Sequence, residues 1–222
     1  MRSSTTVFAP DASATPPSQS TRRARLTVAS LFSAQGGPFT FDVAAGECVT
    51  VSGPSGSGKS VLLRMIADLD PHEGDCLLDG VACSEMPVEA WRRLVQYVPA
   101  EPGWWSDHVL DHMPDSDDLR GLMVDFGLAG HCLQTPLSRL STGERQRLAL
   151  LRAILLHPGV LLLDEPCSAL DETSTGRVER VLQALQAQGT AIVLVSHDVR
   201  QAGRMGDRHF RMHAGRLAGI TP

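Results

Sequence analysis

The sequence predicts an α/β fold: a parallel-sheet core, an antiparallel β-subdomain made by the early strands, and an inserted compact α-helical lobe. Three observations lead there. Val49-Thr50-Val51 runs straight into the glycine-rich stretch Gly53 to Gly58, which opens a helically spaced segment. Late in the chain, the apolar runs Val160 to Leu163 and Ala191 to Val195 flank a helical pattern, the signature of β-α units. Between them, from about Pro102 to Leu140, the patterning breaks into short helix-like pieces punctuated by Pro102, Gly103, Pro114, Gly121, Gly127, Gly130 and Pro136.

Taken in order, residues 1–24 read as a disordered tail, rich in Ser, Thr, Ala and Pro and without the continuous apolar stretch of a secretory signal. One domain is expected over residues 25–222, with the helical lobe at about 102–140. Leu26 to Val51 reads as short strands separated by Gln35-Gly36-Gly37-Pro38 and Ala45-Gly46-Glu47. Ser60 to Leu69 has helical spacing and is stopped by Asp70-Pro71; Cys76-Leu77-Leu78, between Gly74 and Gly80, reads as a strand. Val178, Val181, Leu182 and Leu185 give a helix over Glu172 to Gln188 one apolar face, and Gly189 supplies its stop.

At 222 residues, with 42% hydrophobic and 20% charged, the chain has enough apolar material for one large core. A net charge of −5 provides no basic field, so no nucleic-acid partner is expected. No apolar run approaches the roughly 20 residues that span a bilayer, so a membrane role must go through a partner. The five cysteines, Cys48, Cys76, Cys83, Cys132 and Cys167, are dispersed and form no C-x-x-C pair. Reduced thiols in a cytosolic protein are the expectation, without a zinc cluster.

Gly53-Pro54-Ser55-Gly56-Ser57-Gly58-Lys59-Ser60 matches G-x-x-x-x-G-K-[ST], after a strand and before a helix, and marks a P-loop NTPase core. The curled backbone points successive N–H groups at phosphate oxygens, and the helix adds the positive end of its dipole. Lys59 is placed to reach the β- and γ-phosphates, and the Ser60 hydroxyl to ligate Mg²⁺. The strand from Val160 ends in Asp164 and Glu165, carboxylates too costly to bury without a task. Asp164 suits the Mg²⁺ side and Glu165 the polarisation of the attacking water. His197 follows the next parallel strand, and strand ends in such sheets share one crevice, so a γ-phosphate contact is expected of it.

These residues, in this order, resemble the ATP-binding cassette family. The decisive stretch is Leu140-Ser141-Thr142-Gly143-Glu144, which looks like the L-S-G-G-Q signature; Ser168-Ala169-Leu170-Asp171 resembles the D-loop and Ser196-His197-Asp198 the switch histidine. The likeness covers about Leu26 to Leu217. It implies two cassettes, a homodimer, closing head to tail over ATP, so that Ser141, Thr142, Gly143 and Glu144, with Asp171, serve nucleotide held by the other subunit. It further implies a cytoplasmic ATPase held at the inner face of the cell membrane by a transmembrane permease subunit. Ser168-Ala169-Leu170-Asp171-Glu172 in a short chain is similar to small stand-alone bacterial cassettes.

Independently of the likeness, Ser141 and Glu144 have the S-x-x-E spacing of a capping box ahead of a helix whose buried face is Leu148, Leu151 and Leu155. Thr142 and Glu144 depart from the family's Gly and Gln. Ala100 stands where the family carries a metal-touching Gln, with Glu101 beside it. For the adenine-stacking aromatic, Phe32 is the nearest residue and Phe39 lies behind it; both also read as packing. Trp104-Trp105 sits where family members meet the transmembrane partner, or packs the lobe. Two alternatives remain: a cassette ATPase not coupled to transport, and a P-loop kinase, which has no need of the signature or of His197.

Overall fold

A computed structural model describes residues 23–220. The tail expected over residues 1–24 thus falls almost wholly outside the described residues. A six-stranded sheet organises the core. Its members are β3 (Cys48–Ser52), β6 (Val95–Val98), β7 (Val160–Asp164), β8 (Ala191–Val195), β9 (Arg208–His213) and β10 (Arg216–Ile220), in the order β10-β9-β3-β8-β7-β6. All neighbours are parallel except the terminal hairpin β9–β10. β7 and β8 are buried along their whole length, which is why they read as unbroken apolar runs. A second, antiparallel sheet has the order β2-β1-β4-β5, from β1 (Ala24–Ser33), β2 (Gly36–Ala44), β4 (Glu73–Leu78) and β5 (Val81–Ala82).

Side-chain alternation splits the interior into two cores. Val49, Val51, Leu162, Val193 and Val195 face helix α1 (Lys59–Ile66) and the antiparallel sheet, meeting Leu62, Leu63 and Ile66 from the helix and Leu26, Val28 and Val43 from the sheet. Helix α2 (Val88–Leu94) closes this side with a fully buried Trp91, whose indole N–H donates to the Ile66 carbonyl at 3.0 Å. Leu161, Leu163, Ile192 and Leu194 face the other way.

Between β6 and β7 the chain forms short 3₁₀ turns, helix α3 (Leu119–Asp125) and helix α4 (Thr142–Ile154). Met123, Phe126, Leu128 and Leu140 pack with Leu148 and Leu151 of α4 against this second face. Helix α5 (Glu172–Ala187) adds Val178 and Leu182, and Gly189, at φ 97°, ends it as expected. A last helix, α6 (Val199–Met205), leads into β9.

The predicted elements are present, but α1 stops at Ile66, short of Leu69. The cause is local. Asp68 takes φ 54°, its N–H bonds the Met65 carbonyl at 3.0 Å and that of Leu69 bonds the Arg64 carbonyl at 2.9 Å. That pair of bonds is a Schellman stop, with Asp68 where glycine is usual.

Candidate functional site

The chain leaves β3 at Ser52 and curls through Gly53 to Gly58 before α1 begins. Only glycine suits position 53, where φ is 147° and a Cβ would meet the Met212 carbonyl oxygen at 2.2 Å. Gly58, at φ 103°, precedes α1 without any side-chain cap, so the first-turn amides remain open towards the loop. Lys59 is buried, 6% exposed, and its Nζ donates to the carbonyls of Gly53 and Pro54, each at 2.9 Å. The buried Ser57 hydroxyl has no partner among the described residues. A buried ammonium held only by carbonyl dipoles, beside an orphaned hydroxyl, fits a phosphate group. Ser55 and Gly56 lie at the exposed crest of the loop, and Ser60 is partly buried at the helix start.

A hollow of about 260 Å³ is lined by Gln35, Gly56, Gly58, Lys59 and Ser60. It shares Gln35 and Val61 with a larger concavity of about 610 Å³, flanked by Phe32, Arg64 and His72. Phe32 is 38% exposed, whereas Phe39 is 2% exposed and belongs to the core. Of the two aromatics, only Phe32 faces space that a base could enter.

At the end of β7, Asp164 is buried and accepts a hydrogen bond from the Tyr97 hydroxyl at 3.2 Å. The contact follows from register: Tyr97 pairs with Leu162, two residues before Asp164, and side chains two apart share a face. Burial first, then the Asp164 charge, pushes the Tyr97 phenol well above its ordinary range, so the phenol stays the donor. Hard oxygen donors of the kind offered by Ser60 and Asp164 match Mg²⁺.

Glu165 turns the chain out of the sheet in the left-handed region, φ 52°, with its N–H bonded to the Val195 carbonyl at 2.9 Å. This sparsely populated conformation is typical of functional turns. It brings Oε1 to 2.9 Å from Nε2 of His197, which follows β8. Because the carboxylate accepts, Nε2 carries the proton. Burial raises the Glu165 pKa; His197 opposes the rise and the Asp164 charge adds to it.

The signature forms the start of α4. Ser141 is its N-cap: its Oγ accepts from the Glu144 N–H at 3.2 Å, while its own N–H donates to Glu144 Oε2 at 2.8 Å, the reciprocal box that the spacing predicts. These bonds hold the Glu144 carboxyl below the usual range. Thr142 is exposed, and Gly143 packs tightly on the D-loop, where a Cβ would lie 3.1 Å from the Ala169 carbonyl oxygen. Asp171 caps α5, accepting from the Ser174 N–H at 2.7 Å.

The structure thus brings Lys59, Asp164, Glu165 and His197 to one end of the parallel sheet, and leaves Ser141 to Glu144 on the helical side. Two residues in this region were not singled out from the sequence. One is Tyr97. The other is Gln146, 1% exposed on α4, whose amide donates to the Glu165 carbonyl at 2.9 Å and accepts from the Ala169 N–H at 3.3 Å. It ties α4 to both the acidic turn and the D-loop. Glu101 is exposed in the loop after β6, and the described partner of Asp164 is Tyr97. Trp104 is partly buried against the lobe core, with Arg152 over its ring at 4.7 Å, while Trp105 is 72% exposed.

A buried cation and open amides able to hold phosphate, with a carboxylate able to activate water at a neighbouring strand end, suit a nucleoside triphosphatase of the α/β class. Residues 37–168 match the family model described as ABC transporter. STAR1 of rice (Oryza sativa subsp. japonica) is 38% identical over 82% of this chain, which spans 56% of that protein's length. The aliphatic sulfonates import ATP-binding protein SsuB 2 of Agrobacterium fabrum is 34% identical, with 80% of this chain and 70% of that one covered. A solved ATP-binding subunit of an ABC transporter superposes with a TM-score of 0.80 at 27% identity, covering 88% of this chain and 89% of the other. The chain belongs to the ATP-binding cassette family of transporter ATPases. No helix among the described residues is long and apolar enough to cross a membrane.

Proposed function

We propose that this chain is the ATP-hydrolysing subunit of a transporter, working as a cassette dimer that drives a separately encoded transmembrane permease. The observation that carries the reading is the Glu165–His197 pair, 2.9 Å apart at the ends of adjacent strands on the same sheet as the Lys59 loop. When ATP enters, Lys59 exchanges the Gly53 and Pro54 carbonyls for β- and γ-phosphate oxygens, and the amides of Gly56 to Ser60 take the rest. The orphaned Ser57 hydroxyl gains a partner. The base rests in the larger concavity beside Phe32.

Ser60 and Asp164 would hold Mg²⁺, which, when bound, neutralises charge on the transferring phosphoryl group. The Tyr97 hydroxyl, donating to Asp164, keeps that side chain aimed. Glu165 accepts a proton from the attacking water as the water oxygen bonds the γ-phosphorus and the bond to the bridging β,γ-oxygen breaks. His197, half exposed, positions Glu165 and swings towards the γ-phosphate. Ser141 to Glu144 and Asp171 of the second cassette close the other side, with the N–H groups of α4 directed at the γ-phosphate.

Association of the chain with a multi-span membrane protein tests the coupling. Co-expressed in one membrane, the two should co-purify, and transport of the partner's cargo should stop with Glu165→Gln. ATP turnover that never depends on a membrane partner would favour an uncoupled cassette.

A further inference from the structure

Where the lobe meets the start of the signature helix, one side-chain cluster combines three metal-ligating chemistries. His131 and Cys132 lie in the 3₁₀ turn Gly130–Leu133 of the lobe, and Glu144 is the third residue of α4. One ligand atom from each, an imidazole nitrogen, Sγ and a carboxylate oxygen, lie within 4.8 Å of one another. We propose that His131, Cys132 and Glu144 bind a borderline divalent cation of the Zn²⁺ type, clipping the lobe turn to the N-terminus of the signature helix.

The distances suit the ion. Zinc takes Cys sulfur at about 2.3 Å and carboxylate oxygen at about 2.1 Å, so two tetrahedral ligands of these kinds stand about 3.6 Å apart. Cys132 Sγ and Glu144 Oε1 are 3.6 Å apart. His131 is exposed, so its ring is free to close the remaining distance. Water would complete the tetrahedron as the fourth ligand.

The two oxygens of Glu144 have separate tasks. Oε2 is occupied by the cap, taking the Ser141 N–H at 2.8 Å and the Ser141 hydroxyl at 2.7 Å. Oε1 faces Cys132 instead. A cation can therefore be bound without breaking the capping box. The same division accounts for Glu at a signature position where Gln would serve the cap equally well, since a neutral amide is a far poorer ligand. As the S–metal bond forms, the thiol proton leaves to solvent, and the site goes from one negative charge to neutral.

A set of one thiolate, one imidazole and one carboxylate selects zinc over magnesium, so the ion is distinct from the one that accompanies nucleotide. The inference does not depend on the nucleotide reading, and its test contains no ATP. Co²⁺, a spectroscopic stand-in for Zn²⁺, is titrated into the reduced full-length chain with Mg²⁺ in excess. The expected result is one equivalent bound, with a thiolate-to-cobalt charge-transfer band in the near ultraviolet that Zn²⁺ displaces. Cys132→Ser should abolish the band. His131→Ala and Glu144→Gln, which leave the core and the cap intact, should each weaken binding by more than the ~10–100-fold caused by losing a supporting partner. No thiolate band, a band that survives Cys132→Ser, or unchanged affinity in both His131→Ala and Glu144→Gln would overturn the proposal and leave a plain thiol–carboxylate hydrogen bond.

Discussion

At the scale of the residue, the proposed chemistry rests on Glu165. Glu165→Gln should keep nucleotide affinity but lower turnover by ~10²–10⁴-fold, the range of a lost general base. His197→Ala should lower it by at least about tenfold, or ~1.4 kcal/mol of transition-state stabilisation, with little change in affinity. Wild-type turnover at saturating ATP would return His197 to a structural role. The raised Glu165 pKa gives both activity and stability a pH dependence. Turnover needs the ionised carboxylate, so its acid limb should lie above the ordinary glutamate range. Stability has the opposite sense: between the unfolded and folded pKa the native state binds more protons, so stability falls as pH rises through that window. Glu165→Gln should therefore raise the melting temperature at neutral pH and leave it unchanged below the carboxylate range. Lys59, Asp164, Glu165 and His197 were legible in the sequence because their motifs are contiguous and fall at strand ends. Tyr97 was not, since its contact with Asp164 arises only once β6 and β7 pair. Tyr97→Phe should raise the Mg²⁺ requirement of the ATPase. Ala100→Gln should increase basal hydrolysis, whereas Glu101→Ala should change little, because Glu101 is exposed and Tyr97 already holds Asp164.

At the scale of the element, α4 joins what the sequence lists separately. The capping box was readable from the S-x-x-E spacing, and Ser141→Ala should cost ~1 kcal/mol in chemical denaturation. The tie through Gln146 was not readable, because a glutamine within a helical pattern carries no mark of its tertiary partners. It binds the carbonyl after β7 and the amide of the D-loop at once. Gln146→Leu should remove both bonds, leave buried backbone groups unpaired and destabilise the chain by ~1–3 kcal/mol per orphaned group. Turnover should fall with it, since the Glu165 turn loses its anchor; undiminished turnover would show that the tie is purely structural. The early end of α1 and the hairpin β9–β10 also escaped the sequence reading. Asp68 occupies a left-handed position usually marked by glycine. In β9, Phe210 and Met212 alternate with charged and polar residues, but two apolar positions in six residues make too short a signal to announce the strand.

At the scale of the whole molecule, two cores flank the parallel sheet and the phosphate loop and acidic turn meet at its end. The signature helix packs on the opposite core, its exposed N-terminus bonded locally to its own lobe. A single chain has phosphate-binding and signature elements on separate parts of its surface. Two copies placed head to tail would complete both sites, and this is the central claim. Light scattering on Glu165→Gln during gel filtration, with and without MgATP, tests it most directly. The expected result is a shift from the 23.8 kDa chain mass to twice that value with MgATP, reversed on its removal and absent in Lys59→Ala. A Glu165→Gln protein that binds ATP in equilibrium dialysis yet stays at the single-chain mass at every protein concentration would contradict it.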